Sequence, residues 1–267
     1  MNNEPDLFSS ALDPGNETRV LYLDTETTGA DPDTAHICEV ALLLSSYSGF
    51  SRRPEEDVRF QRLVKPPEQV PPEASAVHHI TNEMLQDEPS IQDISSQVFE
   101  LFQRADCISA HNLPYDLAIL TRELPGVLQG METASRLDSL RLSRHLWPLV
   151  PSHALQALRY RFNLDSGIDG DAHRAMFDTE LVRSLVEYAI EQTPVSWNSW
   201  AELVEFVMSP LEVKVFSFGK YRGKLVEDIA AQDRDYIMWL LKQDWIPRDY
   251  PDLYHTILEK SSLDGRG

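Results

Sequence analysis

Apolar positions in this chain fall either in runs too short for a helix or in longer stretches with a helical period. Val20-Leu21-Tyr22-Leu23 is continuous and short, the pattern of a strand buried on both faces. Ile37–Leu44 predicts a second strand and Phe60–Lys65, where apolar and polar residues alternate, a third. Cys107–Ala110 predicts a fourth, and the stretch around Leu137 a short fifth. Helical periodicity is read around Ile91–Phe102, Tyr115–Leu124, Leu140–Leu146, His153–Phe162 and the segment that begins near Asp178. Three meandering strands followed by alternating helices and strands predict an α/β fold, a mixed five-stranded sheet flanked by helices.

Breaker residues divide the chain further. Residues 1–18 are polar with Pro and Gly, so disorder is expected there. The polar segment Ser45–Asp57 is read as a variable hairpin loop, and Pro66, Pro67, Pro71 and Pro72 as a stiff crossover. Residues 19–192 form the expected main domain, and 193–212 a linker and helix, where Ser199-Trp200-Ala201-Glu202 fits a capping box. Residues 213–267 are read as a small α+β module containing Phe216-Ser217-Phe218-Gly219-Lys220-Tyr221-Arg222-Gly223-Lys224.

Candidate chemistry starts at the end of the first strand, in Asp24-Thr25-Glu26-Thr27-Thr28-Gly29. Strand alternation sends Asp24 and Glu26 to one side, and two carboxylates that close together favour a divalent cation between them. Ser109-Ala110-His111-Asn112-Leu113-Pro114-Tyr115-Asp116 leaves a strand and enters a helix, with Pro114 near its start and Asp116 in its first turn. His173-Arg174-Ala175-Met176-Phe177-Asp178 opens another helix. Residues five apart on one helix diverge by about 140°. His173 and Asp178 therefore share a site only if His173 lies on the loop before the helix.

These three segments, in this order, resemble the DEDDh branch of the DnaQ-like 3′→5′ exonucleases over roughly residues 19–190. The resemblance implies a ribonuclease-H-like sheet and a catalytic set of Asp24, Glu26, Asp116, His173 and Asp178. Four carboxylates without a cysteine or multi-histidine set suit hard cations, Mg²⁺ or Mn²⁺ rather than Zn²⁺. Two such ions roughly 3.5–4 Å apart would balance the four charges and clamp an in-line phosphodiester displacement. His173 is then the general base. Thr27, Thr28 and the backbone around them, including Gly29, are the expected contacts of the 3′-terminal nucleotide, and Asn112 is a further expected substrate contact. The resemblance implies that Ile80, in Val77-His78-His79-Ile80-Thr81, wedges against terminal bases. The Phe-Gly-Lys-Tyr-Arg-Gly-Lys element is similar to that of the exodeoxyribonuclease X group, which implies DNA 3′ ends as substrate, single strands preferred, in repair or recombination. Repair or replication proteins are possible partners.

Charge changes one part of this picture. The chain carries 24 Lys+Arg against 43 Asp+Glu, net −19. Residues 206–267 hold 9 and 10 of these, leaving 15 and 33 for residues 1–205. So acidic a domain excludes a broad basic nucleic-acid surface. From Val213 to Lys224 there are four cations and no acid, interleaved with aromatics, and Lys220, Arg222 and Lys224 are the expected phosphate contacts. Cys38 and Cys107 lie in apolar runs and read as reduced core residues. No stretch approaches the ~20 apolar residues of a membrane span, and the N-terminus lacks the basic start of a signal peptide, so a cytoplasmic location is expected. Two rival readings stand beside this one: an RNA 3′-end-processing exonuclease with the same five residues, and a non-catalytic tethering protein of a polymerase or repair complex.

Overall fold

Burial on both faces explains why the first strands are unbroken apolar runs. In the computed structural model of the chain, residues 12, 16–51, 53–127, 132–168 and 174–263 are described. His173 and most of residues 1–18 lie outside them. Five strands, β1 (Glu17–Thr27), β2 (Ile37–Ser48), β3 (Glu56–Leu63), β4 (Cys107–Ala110) and β5 (Ser135–Asp138), form one sheet in the order β3-β2-β1-β4-β5. β1, β2 and β3 pair antiparallel, while β4 and β5 join in parallel. Parallel pairing needs crossovers. Helices α1 (Pro72–His78) and α2 (Ser95–Arg104) lie between β3 and β4 in the chain, and α3 (Leu113–Glu123) lies between β4 and β5.

Strand alternation sorts the side chains into two cores. Leu21, Leu23, Val40, Leu42 and Leu44 join Val98, Phe102, Leu117 and Leu120 of α2 and α3 on one face. Val20, Tyr22, Leu43 and Tyr47 face the other way, toward α4 (Ser139–Leu146), α5 (Leu155–Phe162) and α6 (Ala175–Gln192). The mixed sheet flanked by helices is the expected architecture.

Boundaries differ where polar composition misleads. β1 runs on past Asp24 because Glu26 still pairs with Glu39 of β2 before the register shifts at Thr27. Much of the Ser45–Asp57 stretch is strand rather than loop. Ser45 is fully buried and its hydroxyl bonds Asp57 at 2.8 Å, so polar residues here satisfy one another inside the hairpin. The proline-rich crossover holds a helix the pattern did not predict, with Pro72 at its start and His79 closing it at φ 62°. A seven-residue helix entered through Pro leaves too short a pattern to read.

Helix α7 (Trp200–Met208) sends Trp200, Leu203 and Val207 into the second core. Ser199 Oγ accepts from the Glu202 amide at 3.2 Å, while the Glu202 carboxylate accepts from the Asn198 amide at 2.8 Å, one residue earlier than a capping box requires. The chain divides into two compact units after Val207. The second unit packs α8 (Val226–Gln232), α9 (Arg234–Leu240), α10 (Trp245–Asp249) and α11 (Pro251–Leu263) around Phe216, Ile229, Ile237, Leu240, Ile246, Leu253 and Ile257. Its β pairing among the described residues is one isolated bridge, Val215 to Leu225.

Trp200 is the largest fully buried side chain, tilted against Tyr47 (4.9 Å) and edge to face with Phe50 (5.5 Å), with its indole N–H on the Gly49 carbonyl. Trp200→Ala should cost about 3–5 kcal/mol in urea denaturation of the first unit. A cost under about 1 kcal/mol would mean that α7 contributes little to that core.

Candidate active site

The sheet ends where three elements deliver acids to one place. Past Tyr22, which pairs with Ser109, β1 has no further partner on its β4 side. The Thr25 amide on that free edge donates to Asp116 Oδ1 at 3.1 Å, and the Thr25 hydroxyl donates to the same oxygen at 2.8 Å. Asp116 and Asp178 each occupy the first turn of their helices, α3 and α6. The partial positive charge of a helix N-terminus offsets a carboxylate placed there. Asp24, Glu26 and Asp178 bring carboxylate oxygens within 4.8 Å of one another.

Burial and mutual repulsion make this cluster costly to ionise. Burial first, then Asp116, Glu26 and Asp178, holds the Asp24 carboxyl well above the usual range. Burial first, then Asp178 and Glu39, lifts Glu26 to about 8, against a lowering pull from Arg174. Burial raises Asp116 to about 7 even though the Thr25 bonds favour its anion. Hard oxygen donors that resist ionising together fit a divalent cation of the Mg²⁺ or Mn²⁺ class, which supplies the missing positive charge.

Two further groups hold Asp178 in place. Gln156 of α5 donates its amide to Asp178 Oδ1 at 2.5 Å, and Arg159 fixes that amide by donating to Gln156 Oε1 at 3.2 Å. Arg159 is itself paired with Asp165 at 2.8 Å and lies 4.7 Å from the Phe177 ring centroid. Glu39, fully buried in β2, accepts from Arg174 at 2.7 Å, from Gln61 at 2.8 Å and from the Ala175 amide at 3.1 Å. It thus caps the first residue of α6 and ties the residue after His173 to the sheet. No sequence motif marks Glu39, Gln156 or Arg159. A lone carboxylate inside the apolar run Ile37–Leu44 is the one signal the sequence carries, since a buried charge needs a partner.

The structure places the remaining expected contacts as follows. Thr27 Oγ donates to the Gly29 carbonyl at 2.8 Å and meets Tyr115 Oη at 2.8 Å. Thr28 Oγ donates to Glu68 at 3.0 Å and accepts from the His36 amide at 2.9 Å. Both hydroxyls brace the loop after β1. Gly29 is exposed beside them. Asn112 is exposed in a left-handed conformation (φ 75°), with its amide on Asp138, the cap of α4. Ile80 does not fit a wedge. It is fully buried with Cys38, Val70 and Leu85, and the pull of an apolar core on an Ile side chain decides its place. His78 is buried beside it, its Nδ1 accepting from the Ile80 amide at 3.1 Å. Lys220, Arg222 and Lys224 belong to the second unit. Lys220 is paired with Asp233 at 2.9 Å, an acid nine residues beyond the acid-free segment.

The raised carboxyls set a pH dependence. Folded, Asp24, Glu26 and Asp116 keep protons that the unfolded chain releases above about pH 4. Their contribution to stability is therefore full below that pH and is lost as pH rises through 7 to 8. Asp116→Asn retains an amide oxygen for both Thr25 bonds and cannot ionise. In EDTA its melting temperature should fall less than wild type's over this window, and millimolar Mg²⁺ should recover more for wild type. Superimposable pH profiles for the two proteins would refute the repulsion.

Comparison with known proteins agrees with this geometry. Residues 21–185 match the Exonuclease (RNase T) family model, and residues 216–244 match the Exodeoxyribonuclease X-like C-terminal model. Exodeoxyribonuclease 10 of Escherichia coli K12 is 28% identical over 219 residues, covering 82% of this chain and 88% of the relative. DNA polymerase III subunit epsilon of Pasteurella multocida is 29% identical over 168 residues, covering 62% and 65%. Among solved structures, exonuclease X in complex with 5′-overhanging duplex DNA shares the fold with a TM-score of 0.51 and 23% identity, covering 70% of this chain and 99% of that one. Exonuclease I shares it with a TM-score of 0.55 and 18% identity, over 71% and 43%. The chain belongs to the exonuclease family, in its DnaQ-like 3′→5′ branch.

Proposed function

We propose that this chain hydrolyses DNA from 3′ ends to deoxynucleoside 5′-monophosphates by a two-ion mechanism. The convergence of Asp24, Glu26 and Asp178, with Asp116 fixed on Thr25, carries the proposal. Exodeoxyribonuclease 10 and the DNA complex of exonuclease X support DNA as the substrate class.

The four carboxylates would hold two Mg²⁺ or Mn²⁺ ions, which when bound supply water activation and offset charge on the scissile phosphate. His173 takes the proton of the attacking water as its oxygen bonds to phosphorus, and the bond from phosphorus to the penultimate 3′-oxygen breaks. That oxygen takes a proton from solvent. Glu39, Gln156 and Arg159 hold α6 and Asp178 so that the acids do not drift apart when charged. Trimming of this kind serves repair and recombination. Free, buried Cys38 and Cys107 accord with a reducing cytoplasm, and among the described residues no helix is long and apolar enough to cross a membrane.

The test uses 5′-labelled single-stranded DNA, duplex DNA and RNA with Mg²⁺. Wild type should shorten DNA one nucleotide at a time from the 3′ end, and faster than RNA. Asp24→Ala, Asp116→Asn and Asp178→Ala should each abolish cleavage. Faster cleavage of RNA would move the substrate class, and near-wild-type activity in any of the three variants would remove the two-ion assignment. His173→Ala should slow the chemical step by roughly 10²–10⁴-fold. Calorimetric Mn²⁺ binding should survive that change, and its loss would make His173 a ligand instead.

A further inference from the structure

The second unit carries a surface that hydrolysis does not use. Tyr221 meets Tyr236 edge to face with centroids 4.9 Å apart, and Tyr236 stacks on Trp239 at 5.7 Å and 24°. The three rings form a continuous row ending at Trp239, whose side of α9 points away from buried Ile237 and Leu240 and leaves it 50% exposed. A half-exposed Trp at the end of this row leaves part of its indole open to solvent.

Lys220 and Asp233 brace the row. The Lys220 ammonium lies 4.7 Å from the centroids of both Tyr221 and Tyr236 and pairs with Asp233 at 2.9 Å. Tyr221 Oη donates to the same Asp233 oxygen at 2.5 Å, and the other oxygen accepts from the Tyr236 amide at 3.1 Å. Gly219 turns at φ 69° where a Cβ would stand 2.8 Å from Tyr236 Oη, so the position has no room for a side chain beside that hydroxyl. Lys220 is thereby spent inside the unit. Arg222 and Lys224 on the same turn, and Lys242 just after α9, have no ion-pair partner among the described residues.

We propose that this face of the second unit is a docking platform for single-stranded DNA. A base stacks on Trp239 while Arg222, Lys224 and Lys242 take backbone phosphates. The combination of a π-face with cations suits strands of any sequence, because every base has a face to stack. The charge contrast supports a polyanion here: 9 cations and 10 acids in residues 206–267, against 15 and 33 in the rest of the chain. The identity of the strand as DNA rests on the function proposed above.

Binding of fluorescein-labelled oligo-dT to the full chain is measured by anisotropy, with Asp116→Asn as the parent so that the strand stays intact. Adding Trp239→Ala should weaken affinity by about 5- to 100-fold, the usual worth of one stacked base, and Trp239→Phe should restore most of it. Arg222→Ala with Lys224→Ala should reduce the log–log salt slope by about 0.7 for each phosphate that is no longer neutralised. Asp235 lies one helical turn before Trp239, and Asp235→Lys should tighten binding. In chains with intact catalytic residues, hydrolysis of the p-nitrophenyl ester of thymidine 5′-monophosphate should be unaffected by Trp239→Ala, because so small a substrate needs no platform. Parent-like affinity and salt slope in the Trp239 and cation variants would overturn the platform and leave the face to a protein partner. Failure of wild type to hydrolyse the ester and DNA would instead overturn the exonuclease reading, while the anisotropy still reads the platform by itself.

Discussion

Repulsion among buried and half-buried carboxylates is the interaction around which the first unit is built. Asp24, Glu26 and Asp178 have oxygens within 4.8 Å of one another, and Asp116 raises Asp24 from beside them. An unbraced cluster would relieve this strain by moving apart or by keeping its protons. The fold resists the first response. Two acids stand on the central strand, where β2 pairs the backbone on one side and Asp116 grips Thr25 on the other, and two stand in the first turns of helices whose N-termini favour negative charge. The second response remains, and the raised carboxyls are its expression. A divalent cation bound there would remove the repulsion.

Glu39 shows how the sheet passes this rigidity to α6. It sits opposite Glu26 in the β1–β2 register, so another negative charge stands next to the cluster. Arg174 neutralises it from the outside and also lowers Glu26. The same carboxylate accepts the Ala175 amide, one of the N-terminal donors a helix cannot satisfy internally. One side chain therefore balances charge, caps α6 and anchors the backbone next to His173. From the opposite side, Gln156 reaches Asp178 with an amide whose orientation Arg159 sets. The carboxylate is thus held both through its helix and through its own oxygen.

How much of this is legible in the sequence depends on the range of the interaction. Asp24, Glu26, Asp116 and Asp178 can be read because each sits in a local pattern of strand end or helix start. β4, at Cys107–Ala110, matches its apolar run for the same reason. Glu39 cannot be read, since its partner Arg174 is 135 residues away. Ser45 and Asp57 look like loop because their mutual bond, which permits burial, leaves no trace in a hydropathy pattern. Lys220 looks free for a related reason: the turn brings it to Asp233 from beyond the local window. Ile80 fits a motif position, but its burial is set by Cys38, Val70 and Leu85, from three separate parts of the chain.

The distribution of charge ties the two units to one task. Residues 1–205, with 33 acids against 15 cations, disfavour the approach of a nucleic-acid backbone, and the attraction of ions held at the cluster would reach only a Debye length of about 10 Å or less. Affinity for a strand must then come from contacts that do not depend on net attraction by the first unit. Base stacking is one, because it is insensitive to the sign of the surrounding field. Phosphate contact by cations outside the acidic unit is another. Trp239, Arg222, Lys224 and Lys242 combine the two in the unit whose charge is nearly balanced. Separating capture from cleavage in this way lets the catalytic cluster stay acidic enough to hold its ions without the whole chain losing its substrate.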